Sequence, residues 1–548
     1  MSKQNINVKT EAGSFEGLKK QKFSLAGMVF LLYCMCAAGA FGIEEMIPNA
    51  GPGLTLVVLV VIPFIWALPI CIYVSELTCF APVESGPYVW MKMAFGEFWG
   101  FSMGWWLALA CYLTPCGYIV IAGGYLDKML DISPVALTII KIAFVVVLTI
   151  VNLLGLKEVS VLSTVFCIII LVAFGAVAVV GFLNWNTNPA VPFIPEGETV
   201  ISSLGLAIGI GIWMYAGYPQ ISFLGGEIEN PEVIPKGMKI TLLIIALSYI
   251  LPTIGGLASL GQWEAWTSDI GADTVNYSTV LYDFVGPWAG IAFAVSAIIA
   301  QIAITNGSIA ATSRCFMVLG EDNLAPKLLN KLSKRGVPLW STMIVGLVTI
   351  IFVNFNFSVI ITIITPLLFV LYVGLAFAFV QLRRKYPVEE RNTYYAKGGK
   401  AVMAYVGIVP AVLGLVGMLV NGTEYFLLGF VAIASAIVAY VVMKLTYGGF
   451  AKTNPEKYPV NPKTRMAKGD LSRFGIFLII FGVLALIGSF FLVWYEGDWG
   501  PEYYLEVYGS GIMSNFQAMI DIARWIGIIG TASGIVLYFI GRKVDPAE

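Results

Sequence analysis

Two glycine-rich stretches carry the residues most able to do chemistry inside an otherwise apolar chain. The first is Cys36-Ala37-Ala38-Gly39-Ala40-Phe41-Gly42, followed closely by Glu44 and Glu45. The second runs from Gly209 to Pro219 and contains Trp213, Tyr215, Ala216 and Gly217. Glycine and proline at this density interrupt a helix. In a bilayer, an interruption frees N–H and C=O groups that lipid cannot satisfy, so the break must face protein or a cavity. Freed N–H groups at a helix N-terminus suit a carboxylate, and freed carbonyls suit an ammonium. An α-amino acid carries these two groups side by side. Small residues also permit close helix packing, but two such stretches at matching places point to a pair of breaks around one site.

Other reactive side chains are sparse. The chain has no histidine, so the usual proton shuttle and the commonest metal ligand are missing. The eight cysteines (Cys34, Cys36, Cys71, Cys79, Cys111, Cys116, Cys167 and Cys315) lie in or beside apolar segments, which suits buried free thiols. No nucleophile–base pair or ligand cluster suggests an enzyme. No Gly-x-x-x-x-Gly-Lys-Ser/Thr loop suggests an ATP-driven pump, and no repeated filter motif suggests a channel. The expectation is a protein without catalytic residues, metal or cofactor.

The elements that position the two stretches follow from hydropathy. Of the 548 residues, 58% are apolar and 12% charged, about half the charge of a soluble domain. A lipid-facing surface explains the deficit. A ruler of about 20 apolar residues per span yields fourteen candidates: Ser24–Ile47, Leu54–Phe80, Phe98–Tyr125, Pro134–Leu154, Val159–Phe182, Ile201–Leu224, Met238–Leu260, Pro287–Ser313, Pro338–Asn354, Val359–Gln381, Ala401–Val420, Tyr425–Met443, Phe474–Trp494 and Ile522–Ile540. The two glycine-rich stretches fall in spans 1 and 6, the first spans of two consecutive five-span blocks.

Charge orders the connections. Lysine and arginine gather at Lys19–Lys22, Lys236 and Lys239, Lys327–Arg335, Arg383–Lys400 and Lys452–Lys468. Acids gather at Glu196 and Glu198, at Glu264, Asp269 and Asp273, and from Glu496 to Glu506, with Lys128 the exception. By the positive-inside rule both termini are cytoplasmic, and the plasma membrane is the expected location. The polar stretch Met1–Lys22 has no removable signal core. The expected organisation is a tail (1–23), a core of twelve spans (24–443), a cytoplasmic linker (444–473), two additional spans (474–541) and a short tail (542–548). The turn Glu227, Glu229 and Glu232 is expected to be solvated beside Lys236 and Lys239.

Motifs along the chain resemble the amino acid–polyamine–organocation superfamily of permeases. Gly39-Ala40-Phe41 is similar to the family's break in helix 1. Trp213-Met214-Tyr215-Ala216-Gly217, with Gly226-Glu227-Ile228-Glu229-Asn230-Pro231, is similar to the break and acidic turn around helix 6. Glu76 with Glu84-Ser85-Gly86-Pro87-Tyr88-Val89-Trp90 resembles the segment between helices 2 and 3. Ser313-Arg314, Glu321-Asp322-Asn323-Leu324-Ala325-Pro326 and Gly336-Val337-Pro338 resemble the loop after helix 8. The resemblance covers roughly the first twelve spans. It implies an all-α membrane protein with a five-plus-five inverted-repeat (LeuT-like) core and two broken helices.

It further implies a secondary active transporter of amino acids working by alternating access, with polyamines or other organic cations as the alternative cargo. A coupling proton or counter-substrate is the further partner. Cys36, Ala38, Gly39, Ala40, Phe41, Gly42, Glu44, Trp213, Tyr215, Ala216 and Gly217 are the implied substrate contacts, with Trp213 as gate. Phe41-Gly42-Ile43-Glu44-Glu45 resembles the polyamine and cationic branches, which carry an acid just past the break. Against a purely cationic cargo, Pro219 stands where those branches often place a second acid. Span 5 lacks the lysine of some proton-coupled relatives, and Lys141, several residues inside span 4, has no assigned role.

Overall fold

Hydropathy and capping decide where the helices run. The computed structural model describes residues 18–545, apart from Ala38, Asp131, 268–273, Phe316, Asn356 and Lys457. Its principal helices are α1 (Leu25–Cys36), α2 (Pro52–Phe80), α3 (Glu97–Leu130), α4 (Pro134–Leu154), α5 (Leu156–Leu183), α6 (Val200–Met214), α7 (Ile234–Leu260), α8 (Pro287–Cys315), α9 (Leu339–Phe352), α10 (Phe357–Lys385), α11 (Gly399–Val420), α12 (Thr423–Tyr447), α13 (Asp470–Glu496) and α14 (Phe516–Val544). Among the described residues, eleven helices are long and apolar enough to cross a membrane; α1, α6 and α9 are the shorter ones. Each of the fourteen expected spans therefore has its helix. Ser24 opens α1 by accepting the Gly27 amide, and Ser133 opens α4 by accepting the Ala136 amide, satisfying donors that a helix start leaves free.

Helices α1 and α6 stop partway. With 12 and 15 residues, they fall short of the 20 or so needed to span. After α1 the backbone turns, and only Met46–Ala50 is helical again. After α6 the chain continues in 3-10 turns over Tyr218–Phe223 and Gly225–Glu227. This corrects one expectation. The break in span 1 does not open a long outer half-helix whose N-terminus could hold a carboxylate. Gly39 and Gly42 sit at φ +96° and +101°, outside helical space, and Pro48 lies within the single turn that follows.

The broken pair is enclosed by intact helices. α1 lies against α5, α7 and α8, while α6 lies against α2 and α11; α3 packs on both α8 and α10. α13 and α14 form a closely packed antiparallel hairpin outside this group, touching α11 and α12. Alternation of the helices gathers the lysine- and arginine-rich connections at the end where α1 begins, the basic face. The acid-rich connections gather at the opposite, acidic face.

Buried ion pairs brace the basic face. Glu76 binds Arg383 at 2.5 Å and Arg391 at 3.0 Å, and Glu97 binds Lys444 at 2.6 Å. Glu227, only 2% exposed, binds Arg314 at 2.6 Å. Glu227 is thus not the solvated loop acid expected of its turn, because α8 brings a guanidinium to it. The segment 444–473 is docked on the helices beside it. Lys444 belongs to α12, the Phe450 amide donates to Glu97 (3.3 Å), and Tyr440 donates to Asp470 at 2.7 Å.

Candidate functional site

The two breaks touch each other. Gly217 has φ +92°, and a Cβ on it would lie 2.8 Å from the Cα of Cys36, so only glycine fits. Its amide donates to the hydroxyl of Tyr372 on α10 at 2.9 Å. Trp66 of α2 sets its ring edge-on to Tyr372, centroids 5.1 Å apart.

Beside this contact lies a cavity. Cys36 of α1, Cys111 and Tyr118 of α3, Trp213 and Gly217 at the second break, Ser308 and Thr312 of α8 and Tyr372 all line it. None of the described lining residues is charged. A chamber of about 330 Å³ continues toward the acidic face, lined by Gly39, Phe41, Tyr249 and Gln301. Trp213 borders both spaces, the place a movable partition would occupy.

An aromatic plug closes the upper chamber. Phe41 packs on Phe174 at 4.8 Å, Phe293 at 5.7 Å and Tyr125 at 6.0 Å between centroids. Gly39 is needed beneath it, since a Cβ there would lie 2.0 Å from the Phe174 ring. Glu44 lies beyond the plug. It lines a third space of about 240 Å³ with Tyr125, Asn276 and Phe293, and its carboxylate accepts the Gly42 amide at 2.8 Å.

The structure therefore brings Cys36, Gly39, Phe41, Trp213, Ala216 and Gly217 to the two central spaces. Gly42 instead underlies Trp213, its Cβ position 3.4 Å from the ring. Ala40 is fully buried, and its carbonyl accepts the Ile43 amide at 3.1 Å. Tyr215 points away, donating to the Leu59 carbonyl at 3.1 Å and packing on Tyr249. Ala38 lies outside the described residues. Tyr118, Tyr372, Ser308 and Thr312 are lining residues that the glycine motifs did not flag. A signal for part of them existed: Gln301, Thr305, Ser308 and Thr312 recur at intervals of three to four, the polar stripe of one helix face.

The electrostatics come from backbone. Both α1 and α6 end at the cavity with their C-termini, each carrying about half a negative unit charge. The carbonyls of Met35 and Cys36 lie 2.9 and 3.4 Å from the Cβ position of Gly217. With no charged side chain among the described residues lining the cavity, this field attracts a cation. Ser308 Oγ and Gln220 Oε1 are buried without hydrogen-bond partners among the described residues, and both residues line the cavity. Lys141 belongs elsewhere. Its ammonium donates at 2.9 Å to the carbonyl of Val353, just past the end of α9.

Comparison with known proteins places the chain in a family. The family model described as amino acid permease matches residues 23–443. The polyamine transporter RMV1 of Arabidopsis thaliana is 26% identical over 437 residues, 77% of this chain and 86% of that one. The aromatic amino acid transport protein AroP of Escherichia coli K12 is 26% identical over 329 residues, 58% of this chain and 69% of that one. Among solved structures, MhsT in complex with L-phenylalanine aligns with TM-score 0.54 at 15% identity, covering 73% of this chain and 99% of that one, a likeness of fold. The family match covers most of the chain, and the chain belongs to the amino acid permease family.

Proposed function

We propose that this protein is a secondary active carrier that moves amino acids across the cell membrane by alternating access, with its basic face and both termini in the cytoplasm. The observation that carries the reading is the convergence of two helix C-termini on a cavity with no charged side chain among its described lining residues. The substrate ammonium sits against the carbonyl ends of α1 and α6. Its carboxylate takes hydrogen bonds from Ser308 and from backbone at the first break, Gly39 to Phe41. Trp213 covers it. Entry is from the acidic face, past Glu44 and the Phe41 plug, and exit follows parting of the Arg314–Glu227 pair. The charge asymmetry of the connections supports the orientation.

One observation favours a second cargo. The central field suits an ammonium better than a carboxylate, and Glu44 adds an acid along the path. Polyamines fit both features, and several relatives are polyamine transporters. A binding screen separates the two. In thermal-shift measurements on the purified protein, a ligand at a hundredfold excess over its dissociation constant adds about 2.7 kcal/mol of stability. Shifts by neutral amino acids, followed by their uptake into proteoliposomes and its loss in Trp213→Ala, support the amino acid reading. Shifts by putrescine or spermidine alone, lost in Glu44→Gln, replace it with the second.

A further inference from the structure

Below the central cavity three segments meet and shut the basic face. They are the turn preceding the helix Gly86–Phe95, the stretch that follows the α6 break, and the end of α8. Backbone bonds stitch them together. Glu84 and Leu224 form an antiparallel bridge, and the Ser85 amide donates to Phe223 at 3.2 Å. Gln21 pairs with Ile228, and the Asn230 side chain holds both backbone groups of Phe23 at 2.9 Å.

Arg314 is the buried hub of this closure. It binds Glu227 through Nε at 2.6 Å and Nη2 at 3.0 Å, while Nη1 donates to the Ala310 carbonyl and the Ser313 hydroxyl. Those bonds commit four of its five N–H donors.

A second carboxyl group lies beside the pair. Glu84 is 4% exposed, and its carboxyl covers Gly226 so closely that a Cβ there would sit 1.6 Å from Oε1. Glu227 from the α6 stretch, Arg314 from α8 and Glu321 from the short helix Met317–Glu321 face it. Behind Glu321, Asp322 accepts from Tyr88 at 2.5 Å and from Lys92 at 2.7 Å. Fully ionised, this cluster would set Glu84, Glu227, Glu321 and Asp322 against Arg314 and Lys92. Arg314 is already bidentate on Glu227, and Lys92 is on Asp322. Among the described residues neither cation donates a hydrogen bond to Glu84, and Arg314 keeps one N–H uncommitted. A buried carboxylate so poorly compensated is costly.

We propose that Glu84 carries the coupling proton of the transport cycle, holding it while the basic face is shut and releasing it there when the face opens. This rests on the carrier reading above. Burial, reinforced by Glu227 and Glu321, pushes the Glu84 carboxyl up to about 7, with Arg314 acting in the opposite sense. Opening separates the three segments and admits water. The Glu84 O–H bond then breaks, its electron pair stays on the carboxylate, and the proton passes to water on the cytoplasmic side. The new carboxylate can take the fifth N–H of Arg314, weakening that residue's hold on Glu227 and favouring the open state. Reloading occurs through the substrate cavity, whose floor at Gln220 and Phe223 adjoins the strand bridge to Glu84.

Two measurements on the full-length protein test this. The first is apparent stability against pH in detergent. A carboxyl whose value is raised by folding stabilises fully below the unfolded value of about 4.3 and loses that contribution as pH climbs to about 7. Glu84→Gln mimics the protonated acid, so its curve lacks this fall. Identical pH curves for wild type and E84Q overturn the proposal. The second uses L-leucine as probe in proteoliposomes. A one-unit pH gradient, acidic outside, supports about a tenfold accumulation per coupled proton. Wild type is expected to accumulate leucine in this way, and E84Q to exchange leucine for leucine without accumulating it. Accumulation by E84Q equal to wild type overturns the proposal. If neither protein exchanges leucine while the stability curves still differ, the proton site stands and leucine is the wrong cargo. Should E84Q fail to fold, Gly226→Ala displaces the same carboxyl and must shift the stability profile; an unshifted profile counts against the proposal equally.

Discussion

Tyr372 shows how much of this site depends on a single polar atom. Its hydroxyl takes the amide of Gly217, which the helix break has stripped of its usual partner. Tyr372→Phe keeps the ring against Trp66 but leaves that N–H buried and unsatisfied, at a cost of about 1–3 kcal/mol. The break is then less often in its binding arrangement, and substrate affinity is expected to fall about tenfold or more, with expression and gel-filtration behaviour unchanged. Affinity equal to wild type would show that the break is held some other way. The glycines on the other side of this bond were legible in the sequence, because glycine has a backbone meaning wherever it stands. The tyrosine was not. It lies 155 residues from its partner, and a tyrosine in an apolar span reads as packing until the fold places it.

At the scale of elements, the fourteen helices could be read with a ruler because the bilayer imposes a length. Where two of them would stop was legible from Gly39 and Gly217; how little helix would follow was not. Buried charged residues were the hardest to interpret, since each acts on a distant element. Glu227 reads as a loop acid until α8 brings Arg314, and Lys141 reads as an anomaly until α9 ends beside it. α9 has only 14 residues, and its C-terminal carbonyls need partners inside the bundle. The Lys141 ammonium supplies one, with a charge that also suits the dipole. Lys141→Met preserves the aliphatic bulk against Gly123 and removes the donor. A charged hydrogen bond of this kind contributes about 1.5–3 kcal/mol, so the thermal midpoint in detergent should fall by several degrees while substrate affinity holds. Lost binding at unchanged stability would instead place Lys141 in the transport path.

For the whole molecule, the question is whether α13 and α14 are appendage or framework. They are joined to the core near both ends. At the basic face, Phe98 of α3 meets Phe474 and Phe477 of α13 at 4.9 and 5.9 Å, and Tyr440 of α12 at 5.3 Å. At the acidic face, the Tyr504 hydroxyl lies 2.5 Å from Glu424 of α12 and 3.1 Å from Glu496 of α13, and it receives the Thr423 amide at 3.0 Å. Burial of the core therefore depends on the hairpin. Without it, Phe98, Trp106 and Tyr440 would face lipid, and Glu424 would lose its hydroxyl partner. Lipid tolerates the rings but not the carboxylate, nor Lys444 and Glu97 if the segment docked on them is disturbed. A chain ending at Lys468 is accordingly expected to leave the monodisperse peak in fluorescence-detected gel filtration. Tyr504→Phe alone should lower the thermal midpoint and leave the protein monodisperse. A truncated chain as stable as the full one would make residues 24–443 a self-sufficient carrier and the hairpin an addition to it. The coupling of α13 and its connection to α12 at both ends, and to α3 of the cavity wall at one, argues that α13 and α14 hold the scaffold still while α1 and the α6 break move.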